Sequence, residues 1–201
     1  MPRLKREDQV KRNRELVVEA ARRVFLAEGY AGATLEQIAE EAGFSKGVVY
    51  SQFESKADLF MTLLEQRIEE RAVENERAVA GLAAAAAVRA LIRAAERDAE
   101  REVGWAGVLI EFRLVASRDK ALNRRYAEAH ARSVKLLATL LEGIHARDGR
   151  KLEFAGKTMA ELVLAVGAGV ALERAANPAA LPQRSLEEMF VHALGLGAPR
   201  R

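Results

Sequence analysis

Residues 34–53 read TLEQIAEEAGFSKGVVYSQF, and the punctuation of this stretch decides the fold. Thr34 suits the N-cap of a helix, and Gln37 three residues later completes a T-x-x-Q capping box ahead of Ile38, Ala39 and Ala42. Gly43 ends that helix, since glycine takes the positive φ that a tight turn demands. Ser45 suits the N-cap of a further short helix running through Phe53. Ala39 is small where the two helices must approach. Two short helices about a turn at Gly43-Phe44 have the layout of a helix-turn-helix.

On the N-terminal side, Leu16, Val17, Ala20, Ala21, Val24 and Phe25 recur at spacings of three and four, which predicts a helix from Asn13 that buries one side and ends at Gly29. Three helices thus fit between Asn13 and Phe53. Ser55 with Asp58 forms another box and opens a longer helix. Beyond it the pattern stays helical, with breaks at Gly81, Gly104, Arg118 to Lys120, Asp148 to Arg150 and Asn177 to Pro182, and Ser185 with Glu188 is expected to cap the last helix. No segment alternates with period two over the length of a strand, so the expected fold is all-α. Residues 1–59 read as an N-terminal arm and helix-turn-helix domain, and residues 60–201 as a helical remainder.

On the second helix of the turn, Val49 and Phe53 are four apart and face inward, leaving Lys46, Gly47, Tyr50 and Ser51 outward. A helix so placed fits the major groove of DNA, with residues near its N-terminus reaching base edges. Thr34 and Ser45 lie at helix N-termini, where free amides and the dipole favour an anion, and Lys56 opens the next helix on the same side. Taken one by one these residues are better read as helix caps and core cover.

The whole chain narrows the alternatives. Its 201 residues are half hydrophobic and 30% charged, with four prolines, as expected of amphipathic helices. The longest apolar run, Gly81 to Val88, is far shorter than the roughly 20 residues that cross a bilayer, and no apolar stretch follows the basic start as in a signal peptide. No membrane partner is expected, and the reading is cytoplasmic. The absence of cysteine removes disulfides and thiolate chemistry. The net charge is only +3, yet residues 1–14 hold Arg3, Lys5, Arg6, Lys11, Arg12 and Arg14 against Glu7 and Asp8, a basic arm that suits tracking phosphates, although such a charge run is more often a solvated tail. Catalysis finds little support. Glu142 and His145 make one E-x-x-H, but a di-iron bundle needs a second, and His130, His145 and His192 are scattered and read as surface histidines. No cofactor or metal is expected.

Phe25, Gly29-Tyr30, Thr34, Ile38-Ala39, the run Ala42 to Tyr50, Phe53 and Ser55 to Phe60 resemble the DNA-binding domain of the TetR (tetracycline-repressor) family over about residues 12 to 60. The resemblance implies that Thr34, Ser45, Lys46, Gly47, Tyr50 and Lys56 contact DNA, Tyr50 and Lys56 mainly on phosphates, with Val48, Ser51 and Gln52 beside them. Ser51 and Gln52 stand where many members have a His-Tyr pair, so that pair's contacts are not carried over.

A single helix-turn-helix makes few contacts, and such proteins gain affinity by placing two copies on an inverted repeat of operator DNA. Candidates for a homodimer surface are Met159, Leu162, Val163, Val166 and Val170 on one helix and Met189, Phe190, Ala193 and Leu194 on the other. The resemblance implies pairing through the two C-terminal helices, where Gly167 and Gly169 permit close approach. It also implies a small-molecule effector cavity within about Phe60 to Asp148, for which Trp105, Leu109 and Phe112 are candidate wall residues and Arg113, Tyr126 and His130, with Glu111, candidate polar groups. A mostly apolar or aromatic effector is the default. The function expected is that of a repressor released from its operator by that effector; the alternative is an effector-independent activator or architectural DNA binder.

Overall fold

In the computed structural model, which describes residues 6–196, every regular element is helical. The order is α1 (Arg6–Gly32), α2 (Leu35–Glu41), α3 (Lys46–Tyr50), α4 (Lys56–Val79), α5 (Ala84–Arg101), α6 (Trp105–Ala116), α7 (Lys120–Arg147), α8 (Gly156–Ala176) and α9 (Gln183–Ala193). The breaks expected at Gly81, Gly104, Asp148 to Arg150 and Asn177 to Pro182 fall between helices, and that at Arg118 to Lys120 reaches the first residue of α7. Four boundaries differ from expectation: α1 runs past the kink at Gly29 to Gly32, α3 ends at Tyr50 rather than Phe53, and two helices start elsewhere. α1 begins at Arg6 rather than Asn13, and α9 begins at Gln183 behind Pro182, which places Ser185 inside the first turn rather than at the cap. Proline there has its φ preset for helix entry and needs no side-chain cap. Arg3 and Lys5 of the basic arm lie outside the described residues.

The chain packs as two compact units. The first comprises the described part of residues 1–67 together with Gly107–Tyr126, and so recruits most of α6 and the start of α7 to the helix-turn-helix. The reason is aromatic. Phe112 of α6 is fully buried, 4.3 Å from Phe60 and 5.1 Å from Tyr30 between ring centroids, and Phe25 joins Phe60 at 5.2 Å and nearly perpendicular. Tyr126 of α7 completes the cluster at 6.0 Å from Phe112. Edge-to-face ring pairs at such separations add stabilisation beyond the area they bury. Phe112, expected on a cavity wall, is therefore a core residue of this unit.

The same unit holds the backbone kink that ends the first helix. Gly29 breaks helical geometry at φ 71°, which is what requires glycine there, and the Glu111 carboxylate would lie 3.0 Å from a Cβ at this position. Glu111 Oε2 accepts the Ala31 N–H at 3.0 Å across this turn.

The second unit, Ile68–Ala106 with the described part of residues 127–201, has its own core. Val79, Ala84, Ala87 and Val88 meet Leu141 and Ile144 of α7, Met159 of α8, and Val191, Leu194 and Leu196 of the C-terminal segment. Helix ends are closed by distant partners. Asp148 accepts the Ala84 N–H at 3.1 Å, Arg147 donates to the Val79 carbonyl at 2.8 Å, and Arg174 donates to the carbonyls of Ala180 and Leu181 at 3.1 and 2.7 Å. His145 is also structural rather than superficial: it is 2% exposed, with Nδ1 at 2.9 Å from the Leu141 carbonyl and Nε2 at 2.8 Å from that of Leu194. Among the described residues, no helix is long and apolar enough to cross a membrane.

Candidate nucleic-acid interface

The site is built on α2, α3 and the turn between them. The capping box at the start of α2 is fully formed. Thr34 Oγ1 accepts the Gln37 N–H at 3.2 Å while Gln37 Oε1 accepts the Thr34 N–H at 2.8 Å. Leu35, Ile38 and Ala39 bury the inner side of α2, and Ala39, 1% exposed, leaves room for the close approach to α3. Gly43 turns the chain at φ 72°, and the Phe44 N–H closes the turn on the Ala39 carbonyl at 2.9 Å. Val49 and Phe53 anchor α3 inward, both essentially inaccessible.

That anchoring sets the opposite face of α3 outward. Ser45, Lys46, Gly47, Tyr50 and Ser51 are all exposed, and Val48 is half-buried beside them. Ser45 stands at the N-cap position, but its hydroxyl makes no capping bond and stays exposed. Gly47 is instructive because nothing inside the protein requires it: a Cβ there would meet only Ser45 Oγ, at 3.9 Å. A missing side chain on an exposed, unobstructed helix face suits the close approach of an external surface.

The face carries a local charge arrangement. Tyr50 donates its hydroxyl to Glu36 Oε1 at 3.1 Å, and Lys46 Nζ lies 3.6 Å from the same oxygen. Glu36 is held below the usual carboxylate range, first by its backbone hydrogen bond at the start of α2 and then by Tyr50 and Lys46. Donation to Glu36 raises the phenol of Tyr50 above its ordinary value. Glu36 thus holds two of the expected DNA-contacting side chains, Lys46 and Tyr50, on the exposed face.

Lys56 is tied within the chain. Its ammonium donates to the carbonyls of Tyr30, Ala31 and Ala33 at 2.6, 3.2 and 2.8 Å and sits 4.8 Å from the centre of the Tyr30 ring. An ammonium has three N–H donors, and all three are engaged in closing the end of α1. Burial lowers its pKa, against the opposing field of Glu111. Gln52 is half-buried, with its side-chain oxygen enclosed. Arg14, counted in the basic arm, is also an internal tie, donating to the Gln52 carbonyl at 2.8 Å and to Thr62 Oγ1 at 3.2 Å with its guanidinium 4.2 Å above Phe53. Lys11 and Arg12 stay exposed on α1.

Glu36, Arg14 and Glu111 do not stand out in the sequence as parts of this face. Glu36 carries a weak signal as an acid in the first turn of a helix. The other two carry none, since their partners lie at least 38 residues away.

The remaining candidates distribute between the units. Leu109, Phe112, Arg113 and Tyr126 belong to the first, where the Arg113 guanidinium lies 5.5 Å from the Tyr126 ring centre; Trp105 and His130 belong to the second. None of the six lines the polar groove formed by α4 and α5. Of the dimer candidates, Met159 and Leu194 are buried in their own chain's core, with Val163 and Phe190 packed partly against it. Leu162 and Met189 are 48% and 58% exposed, Ala193 is exposed, and Val166 and Val170 are half-exposed.

This geometry defines a helix-turn-helix DNA-binding domain. Residues 17–63 match the family described as bacterial regulatory proteins, tetR family, and this domain belongs to it. Curated relatives match over part of the chain: it is 39% identical over 59 residues to TtgW, an uncharacterised HTH-type transcriptional regulator of Pseudomonas putida, covering 29% of this chain and 44% of that one. It is 38% identical over 56 residues to the HTH-type transcriptional repressor AcnR of Corynebacterium glutamicum, covering 28% and 30%. The chain spans less than half the length of the curated relatives it matches. The fold extends further: the structure of FadR, a transcriptional regulator from Bacillus subtilis in complex with stearoyl-CoA, superposes with a TM-score of 0.72 at 15% identity over 92% of this chain and 99% of that one.

Proposed function

We propose that the chain is a dimeric transcriptional regulator that represses by occupying an inverted-repeat operator and is released by a small-molecule effector. The observation that carries this reading is the face of α3. Ser45, Lys46, Gly47, Tyr50 and Ser51 are exposed together on a helix whose other side is locked into a core, at the position that meets the major groove in a helix-turn-helix.

Dimerisation is supported by α8. Past Ala160 none of its residues is buried, although Leu162, Val163, Leu164, Val166, Val170 and Leu172 follow in that stretch. An apolar helix surface left uncovered in a single chain is suited to a second copy. The repressor relative AcnR and the ligand-bound fold relative FadR support repression and effector control. An effector that prefers a conformation with the wrong spacing between two reading heads weakens DNA binding by the same coupling factor. α4, α6 and α7 each run from one compact unit into the other and are the covalent routes for that coupling.

Selection from random-sequence duplex DNA tests the reading. An inverted repeat is expected, bound by the wild type and weakened at least tenfold by Tyr50→Ala, with affinity falling steeply as salt rises. Failure to enrich any sequence would overturn it.

A further inference from the structure

An open groove of about 350 Å³ runs between α4 and α5, lined by Arg71, Glu74, Arg77, Arg97, Asp98 and Arg101. Four guanidinium groups face two carboxylates, which leaves two positive charges in excess. The two acids are already committed. Glu74 holds Arg71 at 3.2 Å and Arg101 at 3.1 Å, and Asp98 holds the same two arginines at 3.7 and 2.8 Å. These contacts keep Glu74 ionised, and donation to Glu74 leads the causes that raise Arg101 above its ordinary value. Arg77 and Arg97, by contrast, are exposed and make no side-chain hydrogen bond or ion pair among the described residues. One comes from each wall.

We infer that this groove binds a phosphorylated small molecule, its diphosphate or paired phosphates held between Arg77 and Arg97 over the Arg71–Glu74–Asp98–Arg101 network. The volume lies in the range of small-ligand sites, roughly 300 to 1,000 Å³. Planar guanidinium forks match phosphate oxygens bidentately, and Arg is weakly hydrated enough to release water readily. The anchored pair Arg71 and Arg101 gives the groove a fixed floor, because their planes are set before any ligand enters. The two free arginines offset two of the negative charges that a diphosphate carries. The lining also runs against an apolar effector, since Ala78 and Ala94 are its only apolar members among the described residues.

This deepens the proposed function by naming the effector's chemical class, and it rests on that reading only for the effect on DNA. The test uses the full chain at fixed ionic strength. Calorimetric titration with inorganic pyrophosphate is expected to show one site per chain, weakened at least tenfold by Arg77→Gln combined with Arg97→Gln and changed less than twofold by Lys46→Gln on α3. Both arginines are exposed and unpartnered, so the double variant is expected to melt at the wild-type temperature. Absence of binding, or equal binding by the double variant, would overturn the inference while leaving selection of an operator untouched. A parallel titration with duplex DNA at low salt separates the remaining possibility: if the double variant loses as much DNA affinity as Lys46→Gln does, the groove is a nucleic-acid surface and the small-molecule assignment fails.

Discussion

Lys56 and Lys46 are two lysines ten residues apart with opposite assignments. Lys56 closes the end of α1 with three hydrogen bonds to carbonyls, whereas Lys46 is two-thirds exposed and held only by Glu36. Replacing Lys56 by Met leaves those carbonyls without their charged donor, which is expected to cost on the order of 2 kcal/mol of stability while leaving the salt dependence of DNA binding unchanged. Lys46→Gln should do the reverse, reducing the slope of log affinity against log salt by about 1 with no change in melting temperature. Denaturant titration and binding at three salt concentrations read both. Glu36 predicts a third outcome at this scale. Its carboxylate competes with phosphate for Lys46 and Tyr50, so Glu36→Gln is expected to tighten non-specific duplex binding several-fold and steepen its salt dependence. Weaker or unchanged binding would show that Glu36 only orients the two side chains.

The helix-turn-helix depends, as an element, on one backbone angle. Gly43 lies at φ 72°, and a Cβ built on it would have nothing within 4 Å, so a substitution there meets strain and no clash. Gly43→Ala is expected to destabilise the chain by about 1 kcal/mol, with DNA affinity kept once the protein is folded. A thermal melt beside a binding titration separates the two. The aromatic cluster explains why α6 joins this element: Phe112 buries its ring against Tyr30 and Phe60, and Glu111 one residue earlier then lands on the Ala31 N–H. The turn before α2 is thereby held from α4 by Lys56 and from α6 by Glu111, both of which lie in the compact unit that contains the reading helix.

For the whole molecule, the proposed dimer rests on the uncovered surface of α8. Leu162 is 48% exposed and contributes nothing to either core, so Leu162→Glu is expected to leave the monomer's fold intact, convert the dimer to monomer by sedimentation, and lower operator affinity by two or more orders of magnitude through loss of the second reading head. A dimer that persists in this variant would place the interface elsewhere.

The helices and the reading face are legible in the residues alone, because both rest on local physics. Apolar periodicity, the Thr34 box and Gly43 specify where helices start and stop, and the spacing of Val49 and Phe53 specifies which side of α3 is left outside. Which basic residues are available to a ligand is settled instead by packing between distant segments. Lys11, Lys46, Arg77 and Arg97 are exposed, while Arg14, Lys56 and Arg147 are bound to carbonyls of other segments. A cation's type and spacing are identical in the two cases. What separates them is the position of unsatisfied backbone oxygens at distant helix ends, and buried carbonyls must find donors wherever the fold brings one within reach.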